Sequence, residues 1–240
     1  ATKYSAAVCA EVPACAQAGA LYGAISSVIG IEYVGLVTVG AADPSYTAPC
    51  LELIGKGTDI INLGLATQTA SAVIDECTAQ GYEGWYASGM NSVTARGLEG
   101  VDGLKMAGAI NGFPWWADDP AVETFRTAVE TYGNGDDVRD PSSTTTWSAL
   151  ELFRKSVGAN GPAADADVTA ADILAVYQAI SGETLDGLLP SPITYTAEGF
   201  QPLIPCFWLF TLEGGEFTTI TNGESGNGAS GDLQSSCFKM

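Results

Sequence analysis

The chain contains no histidine. That removes the side chain most often used as a general base, the Ser-His-Asp arrangement and every histidine-based metal site. Basic residues are scarce: 9 Lys and Arg stand against 28 Asp and Glu, a formal net charge of -19. A surface this acidic repels polyanions, so nucleic acid and anionic lipid are set aside as partners. No apolar run reaches the roughly 18 residues of a membrane-spanning helix. The phosphate-cradling G-x-x-x-x-G-K-[ST] and the nucleophile elbow G-x-S-x-G are both missing. No Cys-x-x-Cys pair occurs, which leaves zinc without its usual ligand spacing. The chain opens at Ala1 without a signal-peptide pattern, as a mature or trimmed chain would.

What is present is a repeated strand–helix unit, clearest over residues 58 to 82. Thr58, Asp59, Ile60, Ile61, Asn62, Leu63 and Gly64 read as a short strand covered on both faces. Thr67, Gln68 and Thr69 follow as candidate helix caps. Val73, Ile74 and Cys77 share one helical face, and Gly81 suits the left-handed residue that ends a helix. Strand candidates Lys3–Cys9, Glu32–Val39, Asp59–Gly64, Glu83–Ala87 and Leu104–Ile110, separated by helical stretches, predict an α/β fold on a parallel sheet. Ligands of such sheets bind beyond the carboxyl ends of the strands, here the loops from Ala10, Gly40, Leu65 and Ser88.

Six cysteines form three pairs close in sequence: Cys9 with Cys15, Cys50 with Cys77, and Cys206 with Cys237. Topology favours this pairing among the 15 possible ones, with Cys50 on the helix before the third strand and Cys77 on the helix after it. Disulfides of this kind persist in an oxidising compartment, so the chain reads as exported; six buried thiols are the alternative.

Along the rest of the chain, Pro13 to Ile29 reads as a loop and helix, with Ala16, Ala20, Ala24 and Val28 as its sheet-packing face. Asp43-Pro44 reads as the start of a second helix running to about Ile54. After the fifth strand come Phe113-Pro114-Trp115-Trp116 and three amphipathic helices. Their stripes are Val122, Phe125, Val129 and Tyr132; then Trp147, Leu150, Phe153 and Val157; then Ile173, Val176, Tyr177 and Ile180 behind a Thr169–Asp172 capping box. Ile193–Thr196 reads as extended, and Cys206–Leu212 with Glu216–Thr221 as a hairpin around Glu213-Gly214-Gly215. Asn222–Ser236, rich in glycine and serine, reads as a mobile tail tethered by Cys237. Asp118-Asp119 is an acid/base pair or, beside Pro120, a helix cap. Asp165-Ala166-Asp167 is a solvated loop or an incomplete calcium loop. The Phe113–Trp116 cluster is core or ligand platform.

Taken in order, Lys3–Cys9, Ile31–Val39, Asp59–Gly64 with its helix to Gly81, Trp85–Asn91 and Gly97–Ala107 (GLEGVDGLKMA) resemble the second lobe of type I periplasmic binding proteins. The similarity is to the branched-chain amino-acid (Leu/Ile/Val) class of ABC-transporter substrate-binding proteins. Asp119-Pro120 with its helix, Thr146–Val157 and Ile193–Leu212 continue it. The resemblance implies a flavodoxin/Rossmann-like parallel sheet with helices on both faces, as one full lobe plus a partial second lobe. Residues 1–112 would be second-lobe βα units, 113–190 helices returning to the first lobe, and 191–240 the last crossing, hairpin and disulfide-tethered tail. The βα units that open the family's first lobe are not seen, so the chain reads as a fragment with weak ligand affinity, its partner a missing N-terminal lobe segment.

The resemblance also implies a small organic solute held between lobes, an ABC permease as membrane partner, no cofactor, no metal, no catalysis and a place in the cell envelope or outside the cell. Its implied ligand contacts are Glu11, Pro13, Thr67, Gln68, Ser88, Gly89, Met90, Asn91 and Trp115. The amino-acid pattern departs, however. Gly89 stands where the ammonium-binding carboxylate is expected, and Pro13 and Ala66 or Thr67 stand where aromatics are, so a different small solute is expected. A ligand-sensing receptor domain of the same fold and a secreted carboxylate-dependent hydrolase are the rival functions.

Overall fold

The computed structural model describes residues 1–89, 94–98, 101, 103–160, 167–196, 205–223 and 225–238. The chain divides into two compact units. One comprises Ala1–Ala109 with Phe210–Phe217, the other Ile110–Leu209 with Thr218–Met240.

The first unit is built by the repeating crossover. Its elements are β1 (Lys3–Cys9), α1 (Pro13–Ile29), β2 (Glu32–Val39), α2 (Thr47–Gly55), β3 (Ile60–Gly64), α3 (Thr67–Ala79), β4 (Trp85–Gly89), the single turn α4 (Ala95–Leu98) and β5 (Lys105–Ile110). The strands lie in the order β5-β4-β3-β1-β2, and β1–β2, β1–β3, β3–β4 and β4–β5 all pair parallel. Parallel neighbours require a return crossover, which the helices supply. Ala6, Ala7, Val8, Ile61, Leu63 and Met106 are buried in the sheet. Burying each large aliphatic chain is worth roughly 1.5–3 kcal/mol. At Gly108 the strands come too close for a side chain, because a Cβ there would sit 1.6 Å from the Ser88 carbonyl oxygen.

Glycine and tyrosine, not the alanine row, seat α1 on this sheet. A Cβ on Gly19 would meet Leu36 Cδ2 at 2.5 Å, so glycine lets the helix approach β2. Tyr22 lies among Tyr4 and Tyr33 with ring centroids 6.0 and 6.5 Å away, and its hydroxyl accepts from Asn62 Nδ2. Ser26 is buried, whereas Ala16, Ala20, Ala24 and Val28 are exposed. The expected packing face is therefore rotated, since close approach selected small and flat side chains over the most apolar ones. Two helix starts also differ from expectation. Asp43 does not open α2; its carboxylate accepts from Gly40 N–H (2.7 Å) inside the loop, and α2 starts after Tyr46. Thr67, Gln68 and Thr69 do not cap α3; the N-cap is Ala66, with no side-chain bond.

The second unit carries α5 (Pro120–Tyr132), α6 (Pro141–Asn160), α7 (Ala170–Gln178), the short antiparallel pair β6 (Ser181–Glu183) and β7 (Ile193–Thr194), and β10 (Ser236–Cys237). Asp119 caps α5, its side chain accepting from Ala121 N–H, and the Thr169–Asp172 capping box of α7 is complete. Val122 and Phe125 of α5 are buried, but Tyr132 is exposed. In α6 the buried positions include Thr144, Ser148, Leu152 and Ser156, while Leu150 and Phe153 of the expected stripe face out. The hydroxyls can turn inward because backbone carbonyls satisfy them, as Ser148 Oγ does with Thr144 and Leu188.

Strand β8 (Cys206–Glu213) runs through both units and turns at Gly214-Gly215 into β9 (Glu216–Ile220). Both turn glycines have positive φ, as a two-residue hairpin requires. Its first residues pair antiparallel with β10. The tail before β10 is packed, contrary to expectation. Leu233 is buried, its carbonyl accepts from Trp208 Nε1 at 2.8 Å, and Asn227 Nδ2 donates to the Gly187 and Leu233 carbonyls. An asparagine amide with several backbone partners orders a glycine-rich segment that has few apolar groups to bury.

Three disulfides form with the expected pairing, Cys9–Cys15, Cys50–Cys77 and Cys206–Cys237. Cys50 and Cys77 are fully buried between α2 and α3. Replacing both by alanine is expected to lower the unfolding free energy by about 2–4 kcal/mol in urea titrations. Under mild reductant, half-buried Cys9–Cys15 is expected to be alkylated before Cys50–Cys77, as followed by peptide mass; simultaneous labelling would contradict this placement.

At the amino ends of the strands, Asp59 accepts from Thr2 N–H, Thr2 Oγ1 and Lys3 N–H, which lowers its pKa to about 2. A carboxyl depressed in the fold contributes stability above its ordinary range and loses it as pH falls toward the folded value. Unfolding free energy should therefore decline between the ordinary value of 3.8 and about 2. Asp59→Asn should remove that part of the decline in urea titrations across this window, and an unchanged slope would count against it.

Candidate functional site

The carboxyl ends of β1, β2 and β3 open on one side of the first unit, as parallel pairing dictates. There they surround a cavity of about 460 Å³. The loop after β1 supplies Glu11 and Val12, the end of β2 and its loop supply Val39 and Ala41, and the β3–α3 junction supplies Leu65 and Ala66. Cys9, Gly64 and Thr69 complete the wall. The surface is mainly aliphatic, with one carboxylate and one hydroxyl.

Local bonds hold these loops in place. Cys9–Cys15 staples the end of β1 to the first turn of α1, with Cα atoms 5.5 Å apart. Ala10 N–H donates to the Val39 carbonyl at 2.9 Å, which ties the two strand tips together. Glu11 Oε1 accepts from Ala41 N–H, linking the β1 and β2 loops through a side chain. That bond, and then one from its own backbone N–H, holds the Glu11 carboxyl below the ordinary range. Beyond Ala41, Asp43 closes its turn on Gly40, and Tyr46 Oη donates to the Gly40 carbonyl at 3.1 Å. At β3, a Cβ on Gly64 would lie 3.3 Å from Val8 Cγ1, so the bare backbone lets this strand end pack closely on β1.

A recess of about 440 Å³ lies at the opposite, amino ends of the same strands, bounded by Thr2, Thr58, Asp59, Tyr82 and Lys105. Its principal charge, Asp59, is already taken by three donors. Doubly wound sheets bind ligands at the carboxyl ends, where loops rather than helix returns define the surface.

The contacts named from sequence fall in different places. Glu11 lines the cavity. Pro13 is exposed at the first position of α1, and Thr67 and Gln68 open α3 next to the lining residues Ala66 and Thr69. Ser88 and Gly89 end β4; the Ser88 hydroxyl is buried and has no hydrogen-bond partner among the described residues. Met90 and Asn91 lie outside the described residues. Trp115 belongs to the second unit, 1% exposed, with its ring 4.8 Å from that of Trp116. Val12, Val39 and Ala41 were not named from sequence; Leu65 was named only as the start of a loop, and Ala66 only as the place of an expected aromatic. Their one signal was position, at the loops starting from Ala10, Gly40 and Leu65.

The model of a family described as periplasmic binding protein matches residues 4–216. No curated protein matches the chain. Among solved structures, an ABC-transporter substrate-binding protein from Aeropyrum pernix is similar at 15% identity and a TM-score of 0.68, covering 96% of this chain and 61% of its own. A branched-chain amino-acid ABC-transporter protein from Thermus thermophilus with bound valine is similar at 13% identity and a TM-score of 0.68, over 91% and 59%. A fatty-acid ABC-transporter substrate-binding protein from Thermomonospora curvata gives 17% and 0.66, over 91% and 56%. The chain thus spans about three fifths of the length of these proteins. The match over most of its length, on a parallel sheet whose strand tips surround a cavity, shows that the chain belongs to the periplasmic binding protein family, with the type I fold.

Proposed function

We propose that this chain is part of an extracytoplasmic solute-binding protein of an ABC importer, and that its strand-tip cavity forms one wall of the site for a small organic solute. The observation that supports this most is the 460 Å³ cavity at the carboxyl ends of β1, β2 and β3 in a chain of this family. Aliphatic Val12, Val39 and Leu65 suit an apolar solute body, while Glu11 and Thr69 give it polar contacts. In this reading Thr67, Gln68, Ser88 and Gly89 extend this wall toward β4. In this reading residues 1–112 are the second lobe and 113–190 return to the first. The protein works in the periplasm or outside the cell, its membrane partner is an ABC permease, and no bond is made or broken. Among the described lining residues the carboxylate is Glu11, whereas a hydrolase of the rival kind needs a facing pair.

A ligand-sensing receptor is the second reading. It is favoured by similarity to a Rhodopseudomonas palustris protein described as an extracellular ligand-binding receptor, at 15% identity and a TM-score of 0.63 over 91% of this chain. Solute-dependent stimulation of permease ATPase activity in proteoliposomes separates the two: an importer protein stimulates, a receptor domain does not.

Thermal-shift screening of the full-length protein against small solutes tests the site. A solute at 100 times its Kd adds about 2.7 kcal/mol, a shift of a few degrees in Tm. Val12 is half exposed, so Val12→Trp fills the cavity without disturbing the core. It should abolish the shift while leaving the unliganded Tm nearly unchanged; an undiminished shift would place the solute elsewhere. The Glu11–Ala41 bond makes a separate prediction. The Ala41 amide resonance should titrate with a midpoint below the ordinary glutamate range, its bond intact above that midpoint and lost below it. A midpoint at the ordinary value would contradict the link.

A further inference from the structure

The strand-tip cavity carries one sign of charge. Among the residues that line it Glu11 is ionisable, and the others bring aliphatic groups, bare backbone, a disulfide sulfur and a hydroxyl. The Ala41 N–H fixes the Glu11 carboxylate at the wall without neutralising it, since an amide brings no net charge. No Lys or Arg among the described residues pairs with Glu11, whereas Glu52, Glu123, Asp137, Glu151 and Glu183 each hold one. Lys3 and Lys105 open β1 and β5 at the far, amino ends of the strands. Arg96 on α4 is exposed and does not line the cavity.

We infer that the solute of this cavity is an aliphatic amine, its ammonium group on Glu11 and its hydrocarbon body against Val12, Val39 and Leu65. The inference rests on the solute-binding reading above and narrows it to a chemical class. An anionic solute would meet Glu11 and a net charge of -19 with no cation on this wall to offset them. A neutral solute would take water from the Glu11 carboxylate and leave it without a new partner. An amino acid would bring a carboxylate for which the wall has no cation. A quaternary ammonium is served by aromatic faces, and none lines the cavity. Glu11 itself stands one residue before Val12, the cap of α1. An anionic head group would use the amino end of α3, capped by Ala66 without a side-chain bond. That end offers a partial charge of about half a unit, less than the full charge of Glu11. The opposite wall lies outside this chain and adds to affinity; the charge that this wall accepts is set by Glu11.

Isothermal titration of the full-length protein with n-hexylamine, n-hexanol and n-hexanoate at about pH 7 tests this, because the three share one hydrocarbon body and differ in head-group charge. Hexylamine should bind at least tenfold tighter than hexanol, and hexanoate most weakly. Raising NaCl from about 0.05 to 0.5 M should weaken the amine and spare the alcohol. In Glu11→Gln the side-chain carbonyl still accepts from the Ala41 N–H, so the loop stays tied and the unliganded Tm is nearly unchanged. The preference for the amine should nevertheless fall about tenfold. Glu83→Gln, an equal change of charge at the amino ends of the strands, should leave it intact. Hexanoate as the tightest probe, an amine preference that survives Glu11→Gln, or no binding of hexylamine at about 10 mM overturns the inference. The solute-binding reading fails separately. It falls if Val12→Trp leaves untouched the binding of whichever probe or screened solute is favoured, and stands if that binding is lost.

Discussion

Parallel strand pairing is the constraint from which the rest of this molecule follows. Once β1 pairs parallel with both β2 and β3, and β4 continues from β3, each strand must be re-entered from the same end. The helices are the return paths, and every strand tip then faces one side. A cavity among those tips needs no dedicated architecture; it is the space left between loops that start together and leave in different directions. The backbone also explains the glycines that matter. Gly108 admits the Ser88 carbonyl, and Gly64 admits the side chain of Val8 on the neighbouring strand.

The loops that bear the cavity are fixed by chemistry that bulk apolar packing cannot provide. A disulfide staples Cys9 to Cys15, a carboxylate joins Glu11 to the Ala41 amide, and Asp43 closes its own turn. Each acts within a few residues of a strand tip. A pre-formed wall of this kind presents its aliphatic surface without first ordering the loops, which lowers the conformational cost of binding. The second unit applies the same logic where apolar residues are scarce. Asn227 and Ser148 use backbone carbonyls as partners and so order segments that hydrophobic patterning alone would leave undefined.

Much of the architecture was legible in the residues. The strands Lys3–Cys9 and Glu32–Val39, the capping box at Thr169 and the Cys9–Cys15 pair, six residues apart, carry local signals, whereas Cys50–Cys77 and Cys206–Cys237, 27 and 31 residues apart, were paired by topology alone. Faces and tails were less legible. The exposed side of α1 looks more apolar than its buried side, because the buried side was chosen for closeness, with Gly19 and Tyr22. In α6 the hydroxyls of Thr144 and Ser148 replaced the aromatic stripe inside, since helix carbonyls satisfy them. Within the cavity, Glu11 had a polar side chain to draw notice, whereas Val39 and Leu65 have only their place at a strand end. Lining by aliphatic residues leaves no motif, so location was legible and composition was not.

Solute capture at the carboxyl tips is the central claim, and hydrogen exchange read by mass spectrometry tests it most directly. With a stabilising solute bound, protection should rise in the segments around Ala10–Val12, Gly40–Ala41 and Leu65–Thr69, and stay flat at Thr2, Thr58–Asp59 and Lys105. Protection confined to those amino-end residues would contradict it.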